Sequence, residues 1–225
     1  MSSQNRPAMI VVAGPNGSGK TSLTSQLVLH EWLRDCICIN PDEIAQNQFG
    51  DWNSPEAVIK AAHLAQAMRE ECMLKRQNFL FETVLSSQEK FDFLRRGANA
   101  GYFIRLFFVA TLSPTINAAR VAYRVMQGGH DVPIAKIISR YAKSIANCVA
   151  CASFVDRAYI YDNSEDGKMP KLLFRTQEGA TVKIYGELPE WAGKIQKEID
   201  SLKPRLKTER TVTVPTKSKD TGFYR

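Results

Sequence analysis

Short apolar runs alternate with longer stretches of helical period along this chain, the rhythm of a parallel sheet whose strands are joined by crossover helices. Met9–Ala13 is an unbroken apolar run and predicts a buried first strand, followed by a Gly-rich turn and a helix over about 19–30. Cys36–Ile39, Phe79–Phe81, Tyr102–Ala110 and Arg157–Tyr161 predict four further strands. Ser54-Pro55-Glu56 is a helix start, with Ser54 as N-cap and Pro55 at the first helical position, and its pattern runs to about Lys75. A helix over Gln88–Ala98 follows the third strand. Ser113-Pro114 repeats the start signal for a helix that stops at Gly128-Gly129, and Pro133 opens another to about Ala150. Leu172–Arg175 and Val182–Tyr185 flank a turn at Glu178-Gly179 and predict a hairpin; Pro189–Leu202 predicts a last helix. The expectation is an α/β chain with a mostly parallel five-stranded sheet flanked by helices. A helical segment at 113–150 and a C-terminal hairpin and helix at 171–202 complete one domain over 1–202, and 203–225 form a polar, extended tail.

Composition narrows the class without changing this picture. At 225 residues, 44% hydrophobic and 24% charged, the chain has a globular balance, which excludes collagen-like, coiled-coil and wholly disordered classes. Cys36, Cys38, Cys72, Cys148 and Cys151 are an odd, scattered set, unlike a secreted disulfide framework, and point to the cytosol. Cys148 and Cys151 have C-x-x-C spacing but lie in an Ala-rich helical pattern with no second pair, so they read as buried small hydrophobes. The most apolar run, Tyr102–Leu112, is too short to span a membrane and contains Arg105, and Met1–Pro7 lacks the apolar core of a signal peptide. The net charge of +7 is uneven: Arg105–Lys143 carries +5, Lys203–Arg225 another +5, and the remainder sums to −3.

One motif carries chemistry outright. Gly14-Pro15-Asn16-Gly17-Ser18-Gly19-Lys20-Thr21 fits G-x-x-x-x-G-K-[ST] between an apolar strand and a helix, the context of a phosphate-binding loop. Its glycines let backbone N–H groups turn toward phosphate oxygens, and the helix N-terminus adds its positive end. Lys20 then reaches the β and γ phosphates and Thr21 offers a hydroxyl to Mg²⁺; Ser22 completes the nucleotide-binding stretch.

The polar groups after the other strands suggest phosphoryl transfer. Asn40-Pro41-Asp42 places a carboxylate where ligands bind in open α/β sheets. There Asp42 can accept the proton of an attacking hydroxyl, or it can instead N-cap a short helix over Glu43–Asn47. Phe81-Glu82-Thr83 ends the third strand, with Glu82 either a Walker-B-like acid acting on Mg²⁺ or an acceptor for substrate hydroxyls. Arg120 and Arg124 share a helix face, Gly128-Gly129-His130 makes a hinge, and Arg140 lies on the next helix. Together they predict a lid at about 113–150 whose arginines neutralise the transferring phosphoryl group.

These stretches together resemble the zeta-toxin family of P-loop kinases, in particular its short members. The matching segments are GPNGSGKTS (Gly14–Ser22), INPDEIA (Ile39–Ala45), FETVLS (Phe81–Ser86), RVAYRVMQGGHDVP (Arg120–Pro133), Arg140-Tyr141 and YDNS (Tyr161–Ser164), in the family's order. The resemblance implies a cytosolic ATP-dependent kinase acting on a hydroxyl of UDP-N-acetylglucosamine and restrained by an antitoxin. Carried over by position, Lys20 and Thr21 bind ATP and Mg²⁺, Asp42 is the base, and Glu82 and Thr83 contact substrate. Arg124 and Arg140 stabilise the transferring phosphate, Arg120 and His130 belong to the lid motif, and Asn163 lies near the adenine. The chain departs from the family at Thr83-Val84-Leu85-Ser86-Ser87-Gln88, where short members often read TTLSGR, and at His63, where Arg is frequent. Two other readings are a kinase of nucleic-acid ends and an ATP-controlled module acting on a protein partner. The chain shows no basic groove interleaved with aromatics along its sequence, which weakens the case for nucleic acid.

Overall fold

The computed structural model describes residues 6–28, 30–33, 35–50, 54–129 and 131–202. The predicted tail, 203–225, lies outside the described residues. Seven strands form one sheet in the order β2-β3-β1-β4-β5-β6-β7. They are β1 (Ala8–Ala13), β2 (Ile37–Ile39), β3 (Phe79–Thr83), β4 (Phe103–Ala110), β5 (Arg157–Asp162), β6 (Lys171–Gln177) and β7 (Ala180–Ile184). The first five are mutually parallel, while β6 pairs antiparallel with β5 and β7 with β6.

The predicted five-stranded sheet is therefore too narrow. The C-terminal hairpin is not an appendage: β6 takes the open edge of β5 over Arg157–Asp162 and satisfies the backbone groups an edge strand would leave bare.

The helices are α1 (Lys20–Leu27), α2 (Pro41–Phe49), α3 (Pro55–Leu74), α4 (Gln88–Asn99), α5 (Pro114–Met126), α6 (Ile134–Ala152) and α7 (Glu190–Ser201), with a 3₁₀ turn over Glu31–Leu33. The start signal acts as expected at Ser54, whose hydroxyl accepts from the Ala57 N–H; Ser87, which the sequence pattern does not mark, caps α4 by accepting from the Lys90 N–H. Ser113 stands at the N-cap of α5 but makes no such bond.

Alternation along the central strands divides the core between the two faces of the sheet. Met9, Val11 and Ala13 join the larger cluster with residues of α2, α3, α4, α6 and α7. Ile10 and Val12 join a smaller one whose helical members are Leu23 and Leu27 of α1 and Leu33 of the 3₁₀ turn. Val121 of α5 and Ile137 of α6 pack with Val132 as a third, separate cluster, so the predicted lid has its own small core. No helix among the described residues is long and apolar enough to cross a membrane.

Candidate active site

The loop between β1 and α1 is held from several directions. Gly14 N–H donates to the Thr83 carbonyl at 3.2 Å, tying it to the end of β3. Asn117 on α5 donates from Nδ2 to the Asn16 carbonyl at 2.7 Å, and its Oδ1 accepts from the Thr111 hydroxyl. Asn163, just past β5, donates from Nδ2 to the Ser18 carbonyl at 2.8 Å.

Asn163 thus stands beside the phosphate loop itself. Gly19 shows how close it is: a Cβ there would lie 2.2 Å from Asn163 Nδ2, at a φ of +93°. Gly19→Ala forces Asn163 off the loop and strains the backbone by about 1–2 kcal/mol. ATP affinity should fall at least about tenfold (1.4 kcal/mol per decade), read by titration calorimetry.

Lys20 folds back over the loop, its Nζ donating to the Gly14 and Pro15 carbonyls at 3.1 Å each. Its pKa is lowered to about 8, chiefly by burial, against the pull of Glu82 and Asp42 and with a further push from Arg124 and Arg140. Four side chains drawn from β3, α2, α5 and α6 thus act electrostatically on one ammonium. Glu82 accepts from the Thr21 hydroxyl through Oε2 at 3.4 Å. Burial raises its pKa, against the Thr24 hydroxyl and Lys20, while Asp42 adds to the rise.

The Asn40 side chain caps α2 by accepting from the Asp42 N–H at 3.0 Å. Capping therefore falls to Asn40, and the exposed Asp42 carboxylate is not used for it. Thr83 is buried, and its hydroxyl accepts from the Leu85 N–H at 3.1 Å. Leu85 sits at φ 56°, and α6 secures this loop from the far side: Ser144 Oγ donates to the Val84 carbonyl at 2.6 Å and Asn147 Nδ2 to that of Leu85 at 2.9 Å.

Among the lid arginines, Arg120 is differently employed. It donates to the Asn163 carbonyl at 2.6 Å and from two nitrogens to Asp166, clamping the loop after β5 onto α5. Because Asn163 in turn holds Ser18, Arg120 acts on the phosphate loop through a neighbour. Arg124 packs against Gly129, where a Cβ would lie 2.6 Å from its Cγ. His130 lies outside the described residues. The sequence reading missed Asn117, whose signal was a polar residue four before Val121 on the buried face of α5.

Mg²⁺ suits these donors. The Thr21 hydroxyl and Glu82 are neighbours, and Asn16 Oδ1 and Ser18 Oγ nearby in the loop are buried without a hydrogen-bond partner. Among the described residues there is no group of three or more His, Cys, Asp or Glu that could hold a metal.

A glycine-rich loop between a central parallel strand and a helix, with one acid at the end of β3, another in the first turn of α2 and arginines on a helical pair, defines a P-loop kinase. The family model described as "Zeta toxin" matches residues 1–169, and the chain belongs to that family. An uncharacterized protein of Haemophilus influenzae is 30% identical over 125 residues, 55% of this chain and 84% of that protein. In fold, the chain is similar to a solved chain of the PezAT chromosomal toxin–antitoxin system of Streptococcus pneumoniae (TM-score 0.54, 16% identity, 89% of this chain and 87% of that one). It is also similar to a chain of the AvrRxo1-ORF1:AvrRxo1-ORF2 complex with ATP (TM-score 0.61, 15% identity, 91% and 66%).

Proposed function

We propose that this chain is a cytoplasmic kinase that transfers the γ-phosphate of Mg-ATP to a hydroxyl of a small acceptor, a sugar nucleotide such as UDP-N-acetylglucosamine, under restraint by an antitoxin. The observation that carries the kinase reading is the convergence of Asp42, Glu82, Arg124 and Arg140 on Lys20. Family membership supports the acceptor class, and the PezAT and AvrRxo1 complexes support ATP and a protein partner.

The acceptor hydroxyl gives its proton to Asp42 as its oxygen attacks the γ-phosphorus, and the bond to the β–γ bridging oxygen breaks to release ADP. Lys20 leaves the Gly14 and Pro15 carbonyls for the phosphates, and Arg124 and Arg140 offset charge on the transferring group. Thr21 and Glu82 would hold Mg²⁺, which when bound neutralises phosphate charge. Thr83 shapes the acceptor side by fixing the turn at Leu85.

Incubation with γ-labelled ATP and a metabolite extract, followed by mass spectrometry, should yield one hydroxyl-bearing species heavier by one phosphate. Transfer to an oligonucleotide end alone would replace the small-molecule acceptor.

The Lys20 pKa sets a pH dependence. Only the ammonium pairs with phosphates, and bound ATP raises its pKa. Affinity should therefore be full below about pH 8 and fall by roughly tenfold per pH unit above it. Calorimetry at pH 8–9 in buffers of different ionisation enthalpy should show proton uptake on binding.

A further inference from the structure

One face of the sheet combines positive charge and aromatic rings in a way no linear segment does. In-register neighbours share a face, and the pairing sets Arg105 beside Arg157, Tyr159 beside Arg175, and Arg175 beside Lys183. This is the α1 side, since Arg105 is also in register with Ile10. The helical side chains of that side's core come only from α1 and the 3₁₀ turn, and α7 packs with the opposite cluster. The outer part, over β5–β7, is left without a helix among the described residues.

Three of its four cations lie against rings. The Arg105 and Arg157 guanidiniums lie 4.5 and 5.7 Å from the centre of the Phe103 ring. Lys183 Nζ lies 4.8 Å from the Tyr185 ring, which is 39% exposed. Asp156, the acid at the start of β5, is bound by Arg6 at 2.5 Å, and Arg157, Arg175 and Lys183 make no ion pair among the described residues. Burial pulls the Arg105 pKa down, opposed mainly by Tyr159, with a smaller push from the adjoining Arg157.

We propose that this face over β5–β7, with the adjoining start of β4, binds single-stranded nucleic acid, with Arg105, Arg157, Arg175 and Lys183 on its phosphates and Tyr185 against its bases. Charge selects the occupant. The chain's own last 23 residues carry +5 and are repelled, and a second copy meeting face to face would set the same cations against each other. The Arg105–Arg157 pair lies near the starts of β4 and β5, at the opposite strand ends from the phosphate loop, so the arginine end of this face points away from the kinase site.

The test is fluorescence anisotropy of a labelled single-stranded oligouridylate with the full chain, the phosphate loop being saturated by a non-hydrolysable ATP analogue. Binding should persist with the analogue present and weaken with salt. Arg157→Glu/Arg175→Glu should weaken it by at least about tenfold and reduce the salt slope by about 1.4. Lys217→Glu/Lys219→Glu, the same charge change in the tail, should do less. The two arginines are half-buried, so Lys183→Glu and Tyr185→Ala, on an exposed edge strand, give a second reading less prone to misfolding, each with a loss of about three- to tenfold. The proposal is overturned if the ATP analogue displaces the oligonucleotide or if the tail variant matches the sheet variant. It is equally overturned if Tyr185→Ala has no effect while heparin or anionic vesicles bind as tightly, which would mark a general polyanion surface.

Discussion

Asp42→Ala should bind ATP as tightly as the unmodified chain or slightly more tightly, and transfer phosphate about 10²–10⁴-fold more slowly. Both halves follow from the geometry around α2. The helix is capped by the Asn40 side chain on the Asp42 backbone N–H, so removing the Asp42 carboxylate leaves the cap intact. That carboxylate also acts electrostatically on Lys20 and Glu82, and its loss removes a negative charge from the surroundings of the ATP phosphates. Loss of Asp42 also removes a charge that raises the Lys20 pKa, so affinity holds well below pH 8, where Lys20 stays an ammonium, while the hydroxyl loses its proton acceptor. Quench-flow transfer rates and calorimetric ATP affinities check the two halves separately. Transfer at the original rate would remove Asp42 from the chemistry.

Lys20→Ala should lose both properties, with transfer down by more than about 10³-fold. Lys20 donates to the Gly14 and Pro15 carbonyls and faces Glu82, so its removal deprives two loop carbonyls and a buried carboxylate of their cation. The phosphates lose a charge present in both the bound and the transition states. ATP affinity and rate fall together, and that distinguishes it from Asp42→Ala. A variant that binds ATP normally would show that the ammonium stays on the loop carbonyls.

The residues legible in the sequence are those whose chemistry is written in adjacent positions. The phosphate loop, the carboxylate after β2 and the acid ending β3 follow from short apolar runs broken by specific polar groups. The glycines at 128 and 129 likewise announced the end of α5. Contacts between distant segments were not legible. Arg120 and Asp166 are 46 residues apart and Asn163 and Ser18 are 145 apart, so the clamp linking the lid to the loop exists only once β5 lies beside β4. The width of the sheet was hidden for the same reason, because a hairpin pattern does not say which edge it joins. Charge was harder still: Arg105, Arg157, Arg175 and Lys183 lie on four different strands, and only the strand register makes them one surface.

The central claim is transfer of a γ-phosphate to a small hydroxyl acceptor at Asp42. Its most direct test is γ-labelled ATP with UDP-N-acetylglucosamine, run side by side with the unmodified chain and Asp42→Ala, the label being followed into product. The account predicts label in the sugar nucleotide with the unmodified chain and almost none with the variant, at equal ATP occupancy. Full ATP occupancy with no label in this or any other hydroxyl acceptor would contradict it.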